Sequence, residues 1–402
     1  MLLVAYRLIA PEMVSFFAII KEQSQTVWHI SWEYPPHITG GLGVACAALV
    51  VELSALLNVK VFHVSLLAED FVSGSYEKRP WEVNKREGLE LLLGKLLSGQ
   101  YVGSDEYFMK VQRLCCHVLS QQPPAGLIIH AHDWHSILAA VAMKRRYGIA
   151  FVLHLHSTQV ERQGAQSRDF IYALEQWGMD EAETVVCVSQ NSANYITKHY
   201  KLKCSKVKVV HNASTSPTCG CEPSADVRTL LFAGRMCCQK SPELMIEIMR
   251  RLLVRHPHLK LLMVGAGEEL RSIQAVVDFC QIGDSVEVLG MLPQECMGRL
   301  YQRADVLCLP SAAEPFGLVA LEAAERGLAV LLSDQCGAKE LLLSATVLPH
   351  RDVNAWVNAL DEFIKKPQLY RAQATAGQKE AASRTWQDAA DEILAIYARM
   401  KY

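Results

Sequence analysis

In the segment Ser311–Ala323, which reads SAAEPFGLVALEA, Glu314 precedes the turn Pro315-Phe316-Gly317 and Glu322 falls on the helix that follows. This spacing sets one carboxylate at the helix mouth and the other about a turn inside. The amides of Gly317, Leu318 and Val319 have no intrahelical partner by position, and such amides bind anionic oxygen. One carboxylate can accept sugar hydroxyls, the other can accept ribose hydroxyls, and the amides suit phosphate. The pattern also fits an ordinary loop-to-helix turn whose acidic groups favour the helix dipole.

Other candidates stand at strand ends. Arg235 follows the apolar run Leu230–Ala233, and Lys240 comes shortly after. Two cations at one sheet mouth can neutralise a diphosphate leaving group. His156 ends the run Phe151–Leu155, where an imidazole can hydrogen-bond a sugar hydroxyl. His154, two residues back, is expected on the same side as His156. The turn Thr39-Gly40-Gly41-Leu42-Gly43 follows a strand and opens a helix, so Gly41, Leu42 and Gly43 offer amides to an anion. It lacks the Lys-Ser/Thr ending of a P-loop, and its third glycine is misplaced for a dinucleotide fingerprint. His132-Asp133-Trp134-His135 has metal-ligand residue types, but adjacent residues on a turning chain rarely converge on one ion. No metal and no cofactor are expected.

The elements that position these residues follow from periodicity. Short apolar runs at Val27–Ser31, Val59–Leu67, Leu127–His132, Phe151–His156, Val185–Val188 and Val207–His211 alternate with helical patterns at Gly41–Leu57 and Ser136–Arg146. Continuous apolar strands separated by helices make a buried parallel sheet covered on both faces. The stretch Asn212–Asp226 is small, polar and broken by prolines, which marks a linker. The rhythm then restarts with Leu230–Ala233, helix Pro242–Arg255, Leu259–Val264, Val286–Leu289, Val306–Leu309 and Leu328–Leu332. The expected fold is therefore α/β, two doubly wound Rossmann-like domains facing across a cleft that holds the substrates. The expected boundaries are 1–26 for an N-terminal appendage, 27–218 for the acceptor-side domain, 227–380 for the donor domain and 381–402 for a C-terminal helix able to pack back on the first domain. The stretch Ala68–Gln100 reads as a solvated insertion, with an acceptor-reaching loop as the alternative.

Bulk properties narrow the class. The chain has 402 residues, 50% hydrophobic and 20% charged, enough for two cores. The formal net charge of -2 gives no basic field for nucleic acid. The 13 cysteines are odd in number and include no C-x-x-C pair. This fits free thiols in a reducing cytoplasm. The apolar start MLLVAYRLIAPEMVSFFAII is interrupted by Arg7, Pro11 and Glu12, unlike a signal peptide. It reads as a peripheral helix, with a membrane-surface anchor as the alternative.

Taken in order, these segments resemble a known family. Glu33-Tyr34-Pro35-Pro36-His37 with Gly40-Gly41-Leu42-Gly43, His130-Ala131-His132-Asp133-Trp134-His135, His156, Val210-His211-Asn212, Ala233-Gly234-Arg235 with Lys240, and Glu314 through Glu322 together resemble the retaining two-Rossmann-domain (GT-B) glycosyltransferases, within them the glycogen and starch synthase group. The resemblance covers nearly everything after Thr26. It implies that Arg235 and Lys240 bind the donor diphosphate, Glu322 holds the ribose, and Glu314 with the Gly317 and Leu318 amides holds donor sugar and phosphate. It further implies that His156 contacts the sugar's 6-hydroxyl and that the Gly41–Gly43 turn faces the pyrophosphate. Members of this kind need no metal and transfer with retention.

The implied activity is transfer of a hexosyl group, glucose first, from UDP- or ADP-glucose to an acceptor hydroxyl, an α-1,4-glucan in the leading reading. The alternatives are a lipid, small-sugar or sugar-phosphate acceptor, or a non-catalytic nucleotide-sugar-binding relative. Three departures bear on donor and acceptor. Ile38 stands where bacterial and plant starch synthases place a Lys. Val44-Ala45-Cys46 stands where many relatives place a His, and Ser241 replaces the glycine after the donor Lys.

Overall fold

The structure, a computed structural model, describes residues 25–38, 40–64, 86–100, 106–214 and 222–400. The N-terminal stretch to residue 24, Thr39 and Cys219-Gly220-Cys221 lie outside the described residues.

Twelve strands form two six-stranded sheets among these residues. The first contains β1 (Thr26–Ser31), β2 (Asn58–His63), β3 (Ile128–His132), β4 (Phe151–Leu155), β5 (Thr184–Cys187) and β6 (Val207–Val209), in the order β2-β1-β3-β4-β5-β6. The second contains β7 (Thr229–Ala233), β8 (Lys260–Val264), β9 (Val286–Gly290), β10 (Val306–Leu309), β11 (Ala329–Ser333) and β12 (Thr346–Leu348), in the order β12-β11-β10-β7-β8-β9. Every pair in the second sheet is parallel. The expected α/β class, with two Rossmann-like sheets, is what the chain forms.

The chain folds as two compact units. The first takes the residues up to His154, Arg168–Val185 and Ala390 onward. The second takes Leu155–Ser167 and Val186–Ala389.

In the first unit, α1 (Gly41–Ser54) begins where the Gly40 amide donates to Glu33 Oε2 at 3.0 Å. A side chain at Gly43 would press within 3.0 Å of both Glu33 Cβ and Ile38 Cγ1. Helix α2 (Arg86–Leu97) corrects the reading of Ala68–Gln100 as a solvated insertion. Leu89, Leu92, Leu93 and Leu96 recur at i, i+3, i+4 and i+7, and all four are buried. The rest of that stretch, to residue 85, lies outside the described residues. Helices α3 (Glu106–Leu119), α4 (Asp133–Tyr147) and α6 (Phe170–Glu181) pack together, α4 against both others. At Gly178 of α6, any Cβ would lie 2.6 Å from Ile137 of α4. The buried Glu181 carboxylate draws Arg86, Lys144 and Arg145 at 2.7, 3.3 and 2.9 Å. The terminal helix α14 (Trp386–Tyr397) brings Tyr397 OH within 2.6 Å of His130 Nδ1.

In the second unit, the side-chain alternation of a strand feeds two cores. Leu230 and Phe232 join Met245 of α8 (Pro242–Leu253) and Trp356 of α12 (Val353–Lys365). Leu231 and Ala233 join Leu300 of α10 (Gln294–Gln302) and Leu321 of α11 (Leu318–Glu325). Each fully buried leucine, phenylalanine or methionine among them contributes about 1.5–3 kcal/mol. Two further helices, α9 (Leu270–Phe279) and α13 (Pro367–Ala382), complete the cover of this sheet.

Helix α7 (Gln190–His199), also in this unit, has an N-terminus closed from two sides. Ser189 Oγ accepts from Ser192 N at 2.9 Å, and Glu340 accepts from the Gln190 and Asn191 amides at 2.8 and 2.6 Å. His211 Nε2 lies 2.7 Å from the same carboxylate. Burial opposes ionisation of Glu340, but the bonds from His211 and the two amides outweigh it and hold the carboxyl below its usual range. A depressed carboxyl adds stability above its unfolded pKa and loses it as pH falls through the folded value. Glu340→Gln is therefore expected to cost about 1–3 kcal/mol at neutral pH. The gap to wild type should narrow once pH drops below about 4.3. Urea unfolding across a pH series measures this, and a gap constant into acid would refute the assignment.

Candidate active site

The second sheet has a switch point between β7 and β10. The chain leaves β7 toward β8 on one side and returns on the other as β10, so the loops following β7 and β10 part at their carboxyl ends. The candidate residues Arg235, Lys240 and Glu314 sit on these two loops.

The loop after β7 is fixed by its backbone. The Gly234 amide donates to Val264 O at 3.0 Å, Met236 N to Ala266 O at 2.9 Å, and Glu269 N to Met236 O at 2.9 Å. Gly265 and Gly267, at φ +136° and +158°, make this approach possible, since a Cβ there would lie 1.8 and 2.2 Å from the carbonyl oxygens of Gly234 and Met236. The reading of the sequence passed over this glycine pair, although a Gly-x-Gly directly after a strand is a visible signal.

A 3₁₀ turn, Cys238–Lys240, then delivers Lys240. Ser241 follows at φ 53°, with Pro242 opening α8. The Gln239 carbonyl accepts from Ala312 N at 2.8 Å, which joins this turn to the loop after β10. Across that joint the Lys240 ammonium pairs with Glu314 Oε2, with side chains only 15% and 10% exposed. Ser311 Oγ stands 3.4 Å from the same oxygen. Arg235 is exposed, and its Nη2 donates to Gln239 Oε1 at 3.2 Å.

Glu314 is held by its main chain too, its amide donating to Gln335 O at 3.2 Å and its carbonyl accepting from Gly337 N at 2.9 Å. Ser189 Oγ donates to Pro315 O at 2.6 Å. Gly317 is the N-cap of α11 at φ 98°, a conformation that favours glycine, and a Cβ there would meet Cys336 Sγ at 3.1 Å and Glu314 Cγ at 3.2 Å. Leu318 begins the helix, so its amide lies in the first turn. Glu322 is buried on α11 and accepts from Tyr301 OH at 2.8 Å. Burial and the neighbouring Glu322 charge push the Tyr301 phenol well up, so it stays a donor.

His156 follows β4 and belongs to the second unit. Burial pushes its imidazole down to about 3, although part of its surface stays open. Its ring is neutral at physiological pH and can both donate and accept. Next to it, Glu161 Oε2 accepts from Thr158 N and Oγ1 at 2.8 and 2.7 Å, and Oε1 accepts from Ser192 Oγ at 2.7 Å. This capping box starts the short helix α5 (Gln159–Gln163), which lies against the turn bearing Lys240. Thr158-x-x-Glu161 is the sequence signature for it, and sequence reading did not single it out. His154 lies in the first unit among other histidines, with Nδ1 3.1 Å from His130 Nε2.

The structure thus brings His156, Arg235, Lys240, Glu314, Gly317, Leu318 and Glu322 into one unit. Gly41, Leu42 and Gly43 form the first turn of α1 in the other. Chemically, the second unit offers a paired ammonium, an exposed guanidinium, helix-start amides and two carboxylates, a set suited to an anionic ligand that also carries hydroxyls.

Comparison with known proteins agrees with this geometry. Residues 222–380 match the family described as glycosyl transferases group 1, and residues 127–213 match glycosyltransferase family 4. The chain is 26% identical to a glycogen synthase of Mycobacterium tuberculosis, covering 92% of this chain and 94% of that protein. Its fold is like that of sucrose-phosphate synthase from Thermosynechococcus elongatus, with a TM-score of 0.72 and 21% identity over 93% of this chain and 98% of that one. It is also like Anabaena HepE in complex with UDP-glucose, with a TM-score of 0.67 and 16% identity over 94% and 100% of the two chains. Among the described residues no helix is long and apolar enough to cross a membrane, and the eleven described cysteines are free. The chain thus has the GT-B fold and carries a group 1 glycosyltransferase domain at residues 222–380.

Proposed function

We propose that the protein transfers a glucosyl group, with retention, from UDP- or ADP-glucose to a hydroxyl of an α-1,4-glucan. The observation that carries this reading is the Lys240–Glu314 pair at the mouth of α11, with Arg235 on the same loop as Lys240. In this reading Lys240 and Arg235 take the diphosphate, and the Gly317 and Leu318 amides take a phosphate oxygen. Glu314 orients Lys240 and meets the donor sugar, Glu322 meets the ribose, and His156 donates to the sugar's 6-hydroxyl. Leaving-group stabilisation and positioning then supply most of the rate. The glucan acceptor draws on the likeness to a glycogen synthase over nearly the whole of both chains, and the UDP-sugar draws on the UDP-glucose held by the HepE neighbour.

The test of the donor is a panel of nucleotide-sugars, read by which nucleotide is released. Release from UDP- or ADP-glucose is expected, and protein inert toward every common nucleotide-sugar would sink the reading. Lys240→Ala should lower kcat/KM by about 10²–10³, the scale for removing one electrostatic stabiliser of the transition state. Glu314→Gln keeps the shape of the pair without its charge and should also lower kcat. An unchanged kcat in both variants would remove the pair from the chemistry.

The acceptor is tested separately with malto-oligosaccharides, free sugars and sugar phosphates. Elongation of malto-oligosaccharides with an α-configured product is expected. Turnover confined to a phosphorylated or free small sugar would overturn the glucan assignment while leaving the donor site in place.

A further inference from the structure

A buried histidine cluster occupies one face of the first sheet and takes no part in the site described above. His29 on β1 registers with His130 on β3, and His132 on β3 registers with His154 on β4. His130 and His132 are two residues apart, so all four imidazoles share one face. Their relative exposures are 0%, 0%, 0% and 2%. The rings stack: His29 lies 4.6 Å from His130 and 5.2 Å from His132, and His130 lies 4.6 Å from His132.

Helix α1 lays the fully buried Cys46 against this face. Ligand atoms of His29, Cys46 and His132 lie within 4.8 Å of one another, as do those of His130, His132 and His154. His29 Nδ1 is 3.0 Å from His132 Nε2, while His29 Nε2 is buried with no hydrogen-bond partner. A polar atom so placed asks for an occupant.

We propose that His29, Cys46 and His132 form a buried site for a single zinc-class divalent cation, with His130 and His154 supporting His132 from outside. Two imidazoles and a thiolate are a borderline-soft donor set that suits Zn²⁺. Bond lengths of about 2.0–2.3 Å require the three ligand atoms, now within 4.8 Å of one another, to adjust their spacing slightly. The thiol proton leaves to solvent as the Zn–S bond forms, so the charge of the ion replaces it. The ligands come from β1, α1 and β3, which is why no Cys/His spacing in the sequence announces them.

The experiment uses the full chain, reduced with a non-chelating phosphine, stripped with a chelator and dialysed against Zn²⁺ or Co²⁺. About one Zn²⁺ per chain should remain, and the Co²⁺ form should show a thiolate-to-cobalt charge-transfer band in the near ultraviolet. Cys46→Ser, nearly isosteric, should abolish the band and weaken Zn²⁺ retention at least about tenfold. His29→Gln should weaken retention likewise, and it carries the test if Cys46→Ser does not fold. Cys115→Ser, at another buried thiol, should leave both readings unchanged. Wild type that retains no zinc, or a charge-transfer band that survives in Cys46→Ser, overturns the proposal.

Discussion

An ammonium that has lost most of its water must have an anion beside it, and the second unit is arranged around that requirement at Lys240. Its side chain and that of Glu314 are both largely removed from solvent. Removing one partner of such a pair leaves an uncompensated charge, at a cost of about 3–5 kcal/mol. The two loops that follow β7 and β10 are therefore bound to one another electrostatically as well as through the Gln239–Ala312 hydrogen bond. The pairing keeps a cation ready at the switch point without letting it collapse onto a random carboxylate. In the proposed donor site, an anion would meet a side chain already oriented, so little ordering entropy would remain to be lost on binding.

The surroundings explain why the pair can be held. Parallel strands such as β7 bury residues on both faces, which gives each loop a rigid base in two cores. Backbone-to-backbone contact fixes the loop above β7. Gly265 and Gly267 let main chain approach main chain at distances no Cβ would permit, and Gly337 does the same beneath Pro315, whose carbonyl would lie 2.2 Å from a Cβ there. The glycines of this unit thus serve to seat loops, and the charged residues sit on loops so seated.

Much of this was legible from residue type. Alternating apolar runs and helical patterns gave both sheets, because a buried parallel strand is apolar on every side chain. Arg235, Lys240, Glu314 and Gly317 could be singled out because each lies directly after an apolar run or before a helical one. What escaped has a common physical cause: it depends on partners far apart in the chain. Helix α2 was hidden because its four leucines sit among charges, and their burial needs the helices packed beside it. The glycines at 265 and 267 matter only because Gly234 and Met236 lie beneath them. His154 is paired with a residue 24 positions away in the chain. Side-chain alternation fixes the face of a strand residue but does not name its neighbours on adjacent strands.

The two glycine-led helices show how such neighbours change the meaning of one motif. Both α1 and α11 open on glycine and present amides at their first turn, and by sequence either could receive an anion. At α1 the Gly40 amide already donates to the Glu33 carboxylate. At α11 the nearby carboxylate, Glu314, is neutralised by Lys240, and Arg235 is exposed on the adjoining loop. The close fit of Gly43 against Glu33 and Ile38 gives α1 a packing reason for its glycine that requires no ligand. Gly317, in contrast, adopts a left-handed backbone that turns the chain into α11 beside the ion pair. Backbone geometry thus gives the glycine of α11 a turning role, whereas Gly43 of α1 is accounted for by how closely the helix must approach its own strand-end loop.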